Sequence, residues 1–98
     1  MKISNKNLLE QFTKKHSGTT NAVNKWIETV EENEFKSHNE LLQMFPKTDY
    51  VGNGRYVFDI KGNRYRFVVL IVFVAGLMEL RFVGTHPEYD KINDIKNI

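Results

Sequence analysis

The feature that most constrains this chain is a change of hydrophobic period at Gly52-Asn53-Gly54. Before it, apolar residues recur at helical spacing: Leu8, Leu9 and Phe12, then Val23, Trp26, Ile27 and Val30, then Leu41, Leu42, Met44 and Phe45. After it, the pattern alternates or runs continuously apolar over 55–60, 64–74 and 77–84, as strands do. A chain of 98 residues that is 41% hydrophobic has apolar surface for one core, so the two halves must bury their faces against each other. The expected class is α+β: a single domain over residues 1–98, compact, with N-terminal helices on one face of a small, mostly antiparallel twisted sheet.

Local signals refine this expectation. Met1 to Ile3 suit a short first strand, and Ser4 is placed to cap a helix running to about Lys15. Beyond Ser17-Gly18, Thr19 or Thr20 caps a second helix ending near Asn33. Ser37-x-x-Glu40 is a capping box for a third, which Pro46 stops. Gly62-Asn63 and Ala75-Gly76 signal tight reversals. If each loop has two residues, Asp59 faces Arg66, Val57 faces Val68, Arg66 faces Thr85 and Leu70 faces Arg81.

In that register Tyr56, Phe58, Ile60, Tyr65, Phe67, Val69, Ile71, Phe73, Leu80 and Phe82 share one apolar face for the helices to cover. The other face carries Arg55, Asp59, Arg64, Arg66, Arg81 and Thr85 around Val57, Val68 and Val83, a basic groove. All four arginines lie in the strand half although the formal net charge is only +2, so an anionic partner is expected.

Several classes are excluded or disfavoured. Without cysteine there is neither a disulfide scaffold nor thiol chemistry, in keeping with a reducing, cytoplasmic setting. The longest apolar run, Phe67 to Leu77, falls short of the roughly 20 residues a membrane helix needs, and Met1-Lys2-Ile3-Ser4-Asn5 lacks the apolar stretch of a signal peptide. No membrane association is expected. His16, His38 and His86 have no cysteine partners and no ligand spacing, and Gly52-Asn53-Gly54 is too short for a phosphate-cradling loop, so neither metal nor cofactor is expected.

The densest chemistry follows the last strand, in Thr85-His86-Pro87-Glu88-Tyr89-Asp90-Lys91-Ile92. His86 leaves that strand at the sheet end where Lys61, Arg64 and Arg66 gather. RNA cleavage needs one group to take the 2′-hydroxyl proton, another to protonate the departing 5′-oxygen, and cations around the charge that builds at phosphorus. Histidine suits either proton task near neutrality, and arginine grips phosphate in a planar fork. Tyr89 can stack on a base or touch phosphate, and Lys91 adds charge. Structural explanations compete. Arg66 opposite Asp59 is equally well a cross-strand ion pair, His86-Pro87-Glu88 reads more readily as the opening of a short helix, and Asp90 suits a helix or tail contact.

Two stretches carry a family resemblance: Arg55-Tyr56-Val57-Phe58-Asp59-Ile60-Lys61-Gly62-Asn63-Arg64-Tyr65-Arg66, and Arg81-Phe82-Val83-Gly84 leading into Thr85 to Ile92. Together they resemble the HigB toxins of bacterial type II toxin–antitoxin systems, a branch of the RelE-like fold. The resemblance implies an mRNA interferase acting in the ribosomal A site and neutralised by a helix-turn-helix, HigA-like antitoxin. By the same resemblance Arg66 contacts the scissile phosphate, His86 is the functional basic residue after the last strand, and Tyr89 loosely matches an aromatic residue there. The RelE pattern has lysines on the preceding strand where this chain has Val57 and Asp59, which shifts the proton chemistry toward His86, Lys61 or Arg64. The expected catalytic set is therefore Arg66, His86 and Tyr89, with Arg55, Lys61, Arg64, Arg81 and Lys91 binding RNA. A non-catalytic RNA- or ribosome-binding module would use the same basic face, and a pure protein-interaction domain is a third reading.

Overall fold

A computed structural model describes residues 1–98. The elements run β1 (Lys2–Ser4), α1 (Asn7–Lys15), α2 (Thr20–Glu31), α3 (His38–Met44), β2 (Asp49–Gly52), β3 (Arg55–Ile60), β4 (Tyr65–Val72), β5 (Leu77–Thr85) and α4 (His86–Asp90). One sheet holds all five strands in the order β1-β5-β4-β3-β2, and only the β1–β5 pairing is parallel. The α+β class and the mostly antiparallel sheet are as the period change requires. No helix is long and apolar enough to cross a membrane.

The apolar stripes of α1, α2 and α3 meet one sheet face. Leu9, Phe12, Val23, Trp26, Val30 and Leu41 form a single buried cluster with Tyr56, Phe58, Phe67, Val69, Ile71, Met78 and Leu80. At its centre Trp26 stands edge-on to Phe58 and Phe67, with ring centroids 5.4 and 5.2 Å apart, a geometry that adds to the area buried.

The β3–β4 hairpin keeps the expected register, Asp59 opposite Arg66 and Val57 opposite Val68. The β4–β5 register does not. The loop holds four residues, because Val72 pairs with Leu77 while Phe73–Ala75 makes a 3₁₀ turn closed by Gly76 at φ +62°, a left-handed conformation that suits glycine. Strand β4 consequently ends at Val72 rather than 74. A bulge follows: Val69 pairs with Leu80 and Val68 with Phe82, leaving Arg81 as the extra residue. Arg66 therefore faces Gly84, not Thr85, and Leu70 faces Glu79, not Arg81. The bulge also reverses side-chain parity beyond it. Val83 packs against the helix-side core, and Phe82, paired with Val68, moves to the opposite face.

Two local expectations also change. Ser4 belongs to β1 and does not cap α1, whose first turn follows Lys6 without a side-chain cap. Asp49–Gly52 is a strand that the short Asp-Tyr-Val-Gly run did not announce. Ser37 does cap α3, accepting from the Glu40 N–H at 3.2 Å, but the Glu40 carboxylate accepts from Lys36 N–H instead of closing the box.

On the face away from the helices, Val57 and Val68 are only 1% and 0% exposed. The chain's last residues cross this face. The main-chain oxygen of Ile98 accepts from Arg55 Nη2 at 2.7 Å, Arg55 Nε at 3.3 Å and Arg81 Nε at 3.0 Å. Since β3 and β5 flank β4, Ile98 lies over the middle of the sheet, and Asn53 Nδ2 holds the segment further along by donating to Lys96 O at 3.1 Å. Ile92, Ile95 and Ile98, recurring every third residue, are half-buried along this crossing segment.

Candidate active site

The last strand turns into α4 through a complete capping box. The Glu88 N–H donates to Thr85 Oγ1 at 3.3 Å, and Glu88 Oε1 accepts from the Thr85 N–H at 2.8 Å and from its hydroxyl at 3.0 Å. These bonds to the Thr85 backbone and side chain hold the Glu88 carboxyl below its ordinary pKa. Pro87 in the first turn costs no hydrogen bond, since the donors there have no partner within the helix. The glycine before the box has a steric reason. A Cβ on Gly84 would lie 2.7 Å from Phe82 Cζ and 2.9 Å from Glu88 Oε1, so only glycine lets α4 fold back this tightly. The His86 N–H then donates to Arg64 O at 3.0 Å, tying the start of α4 to the β3–β4 hairpin.

This turn sets His86 beside Arg66, with 3.1 Å between His86 Nε2 and Arg66 Nη2. On its other side His86 Nδ1 lies 3.0 Å from Asp90 Oδ2, one helical turn along α4. A guanidinium can only donate, so Nε2 is the accepting nitrogen and the ring proton resides on Nδ1, donated to Asp90. Behind the arginine, Asp59 Oδ1 is 3.3 Å from Arg66 Nε, close enough for charge attraction but not aligned as a hydrogen bond. The Arg66 guanidinium carbon stands 4.7 Å from the centroid of the Tyr89 ring, a cation–π arrangement. Phe82, moved to this face by the bulge, supports Tyr89 with 6.5 Å between ring centroids.

Arg66, His86 and Tyr89 are thus brought together. The guanidinium is sheltered, with 18% of its side chain exposed, and the imidazole is more open at 35%. Asp90, read from sequence as a mere helix or tail contact, orients the imidazole; the signal for it was the i,i+4 spacing on a helix opened by Thr85-x-x-Glu88.

The other basic residues divide. Arg64 and Lys91 are exposed at the same end of the sheet, on the hairpin and just past α4. Lys61 Nζ donates to Gly18 O at 3.0 Å, which turns it toward the helical side. Arg55 and Arg81 lie away from the cluster and hold Ile98, with Arg81 also paired to Glu79. Chemically, the cluster offers one fixed cation for an anion and one nitrogen lone pair backed by a carboxylate.

The family model for the HigB toxin, described as the RelE-like toxic component of a toxin-antitoxin system, matches residues 19–92. An mRNA interferase HigB of Escherichia coli O6:H1 is 29% identical over 94 residues, covering 94% of this chain and 91% of that protein. The mRNA interferase toxin HigB of Escherichia coli K12 and the mRNA interferase HigB of Shigella flexneri are each 35% identical over 65 residues, covering 63% of this chain and 62% of theirs.

Proposed function

The chain belongs to the HigB toxin family, the RelE-like toxic components of toxin–antitoxin systems, and from that premise we propose that it is an endoribonuclease that cleaves messenger RNA in the A site of the translating ribosome. The relatives' names as mRNA interferases support the reaction class. The observation that carries the reading is the line Asp59, Arg66, His86, Asp90, each within 3.3 Å of the next.

The chemistry follows from that line. A phosphate arriving at the cluster takes the Arg66 donor that now faces His86, and the exchange frees the Nε2 lone pair. The imidazole then removes the 2′-hydroxyl proton, the 2′-oxygen bonds to phosphorus, and the bond to the 5′-oxygen breaks. A cyclic phosphate and a 5′-hydroxyl end result, the leaving oxygen taking its proton from water and the imidazolium returning its own to solvent. Asp90 stabilises the imidazolium as it forms, Arg66 the charge on the phosphorane oxygens, and Tyr89 holds the guanidinium or stacks on a base. No step needs a metal or organic cofactor. Arg64 and Lys91 steer the RNA backbone, Lys61 being held toward the helical side by Gly18 O, and Arg55 and Arg81 join them only on release of Ile98. The setting is the cytoplasm, and the partner a helix-turn-helix antitoxin.

The test is controlled expression with mapping of new RNA 5′ ends in a translated transcript and in the same transcript without its start codon. Cuts confined to the translated form are expected. Growth arrest with ribosome binding but no cuts would replace this reading with a non-catalytic one.

A further inference from the structure

On the helix side, at the free edge of β3, lies a cavity of about 370 Å³, within the range of roughly 300–1,000 Å³ typical of clefts that hold ligands. It exists because β2 stops pairing with β3 at Asp49 opposite Val57. Beyond Val57, β3 has no neighbour on that side, and the turn after α3 bends away, with Thr48 N–H bonded to Phe45 O at 3.1 Å.

The walls have two characters. Inside, Met44 is 46% exposed next to half-buried Phe45, over a floor of Trp26 and Phe58. At the rim stand three exposed lysines, Lys25, Lys47 and Lys61. Asp59 is the one carboxylate in the lining, and Arg66 already engages it. The rim therefore attracts negative charge.

We propose that this groove docks an acidic, extended segment of a protein partner, which lines its backbone along the free edge of β3, seats aliphatic side chains against Met44 and Phe45, and sets carboxylates among the three lysines. The inference rests on the toxin reading for the partner's identity, the antitoxin, and on the groove alone for the partner's chemistry. RNA fits less well. A base needs an open aromatic face to stack on, and Trp26 and Phe58 are only 4% and 2% exposed. The most exposed apolar residue is Met44, beside a Phe45 that is only partly open, and its flexible side chain adapts to aliphatic partners. The groove also adjoins the active cluster through Asp59, so an occupant would lie next to the residue that holds Arg66.

Trp26 is the only tryptophan, which makes its fluorescence a direct report on the groove. The probe is a synthetic peptide alternating glutamate with leucine, titrated into the full chain, with a lysine–leucine peptide in parallel. A saturable shift of Trp26 emission is expected with the acidic peptide alone, weakened at least about tenfold by the exposed-site double substitution Lys25→Glu with Lys47→Glu, the opposite charges now facing its carboxylates. No shift, or equal shifts with both peptides, would overturn the proposal without any variant. So would a shift with a single-stranded RNA oligonucleotide that displaces the peptide, which would make the groove an RNA subsite. Cleavage is assayed by adding the same preparation to a transcript under translation. Peptide binding without cleavage sinks the nuclease reading alone, and cleavage without peptide binding sinks this one alone.

Discussion

Arg66 Nη2 and His86 Nε2 face each other across 3.1 Å, and because the guanidinium must donate, the histidine rests with its proton on Nδ1, which donates it to Asp90 Oδ2 across 3.0 Å. The Nε2 lone pair is thereby engaged by the cation that a substrate phosphate would claim. His86→Ala should slow the chemical step by about 10²–10⁴-fold while the fold survives. His86→Gln is the sharper variant, since glutamine hydrogen-bonds but does not exchange the proton. A fully active Gln variant in single-turnover cleavage would leave His86 a structural or RNA-contacting residue.

Asp90 is a positioning residue, and its conservative variant separates geometry from charge. In Asp90→Asn the side-chain oxygen can still accept the Nδ1 proton, as Arg66 requires, but the negative charge that stabilises the imidazolium is gone. The expected result is a single-turnover rate lowered by about tenfold or more, with an altered pH profile, at unchanged thermal stability. An Asn variant with the wild-type rate and profile would remove Asp90 from the mechanism.

Arg66 is expected to act on the transition state and Asp59 to hold it there. Arg66→Ala should lower single-turnover cleavage by orders of magnitude with little effect on binding, because the guanidinium matters most when charge develops at phosphorus. Asp59→Ala should do less, since the 3.3 Å pair is not an aligned hydrogen bond and Tyr89 supports the same guanidinium from 4.7 Å. An intact saturated rate in Arg66→Ala, with weaker binding, would reduce the residue to a positioning contact.

The physics behind these positions was unevenly legible in the chain. Side-chain period marked α1 to α3 and the three long strands, and Gly62-Asn63 sufficed to place Asp59 opposite Arg66 because that hairpin pairs without irregularity from Ile60 to Arg55. What lay beyond Ala75 could not be counted from residue types. A 3₁₀ turn lengthened the loop and a bulge absorbed Arg81, and both depend on how β5 pairs with β4 and β1 rather than on local preference. Phe82 was misplaced for that reason, and with it the support under Tyr89. The grouping of Arg66, His86 and Tyr89 tolerated the error because all three lie near one end of the strands, where a shift of one residue moves a side chain by only about 3.3 Å along the sheet. Arg55 and Arg81 read as RNA ligands since nothing in the sequence reveals that Ile98 would reach them.

That contact leads to a division of labour among the cations. In the resting fold Arg55 and Arg81 clamp Ile98, so Arg55→Ala should lower stability and leave the salt dependence of RNA binding nearly unchanged. Removing residues 92–98 should cost more, because the clamp on Ile98 and the partial burial of Ile92, Ile95 and Ile98 are lost together, and fully burying an isoleucine is worth up to about 3 kcal/mol. Denaturant midpoints measure both. Arg64→Ala and Lys91→Ala should instead flatten the salt dependence, each by about 0.7 in the slope of log affinity against log salt for single strands. A slope changed by Arg55→Ala but not by Arg64→Ala would reverse the assignment.

The acid side of the stability profile should report the cap that aims His86. Glu88 has its folded pKa lowered from 4.5 by its bonds to Thr85, so its carboxylate form is favoured in the native state. Such a group contributes stability that is full above the unfolded value and is lost as pH falls through the folded value, because below both values the two states bind the same proton. The stabilisation by Glu88 is therefore expected to hold above about pH 4.5 and to fade below it. Glu88→Gln keeps a side-chain oxygen to accept from the Thr85 N–H but has no carboxyl to titrate, so the gap between wild type and variant in urea midpoint should close as the pH drops through that window. Cleavage in Glu88→Gln should stay close to wild type near neutrality, since the cap is retained and Glu88 lies outside the line from Asp59 to Asp90. A gap that stays constant into acid would show that the cap does not depend on the carboxylate, and a large loss of cleavage at neutral pH would mean that Glu88 does more than hold the turn that carries His86.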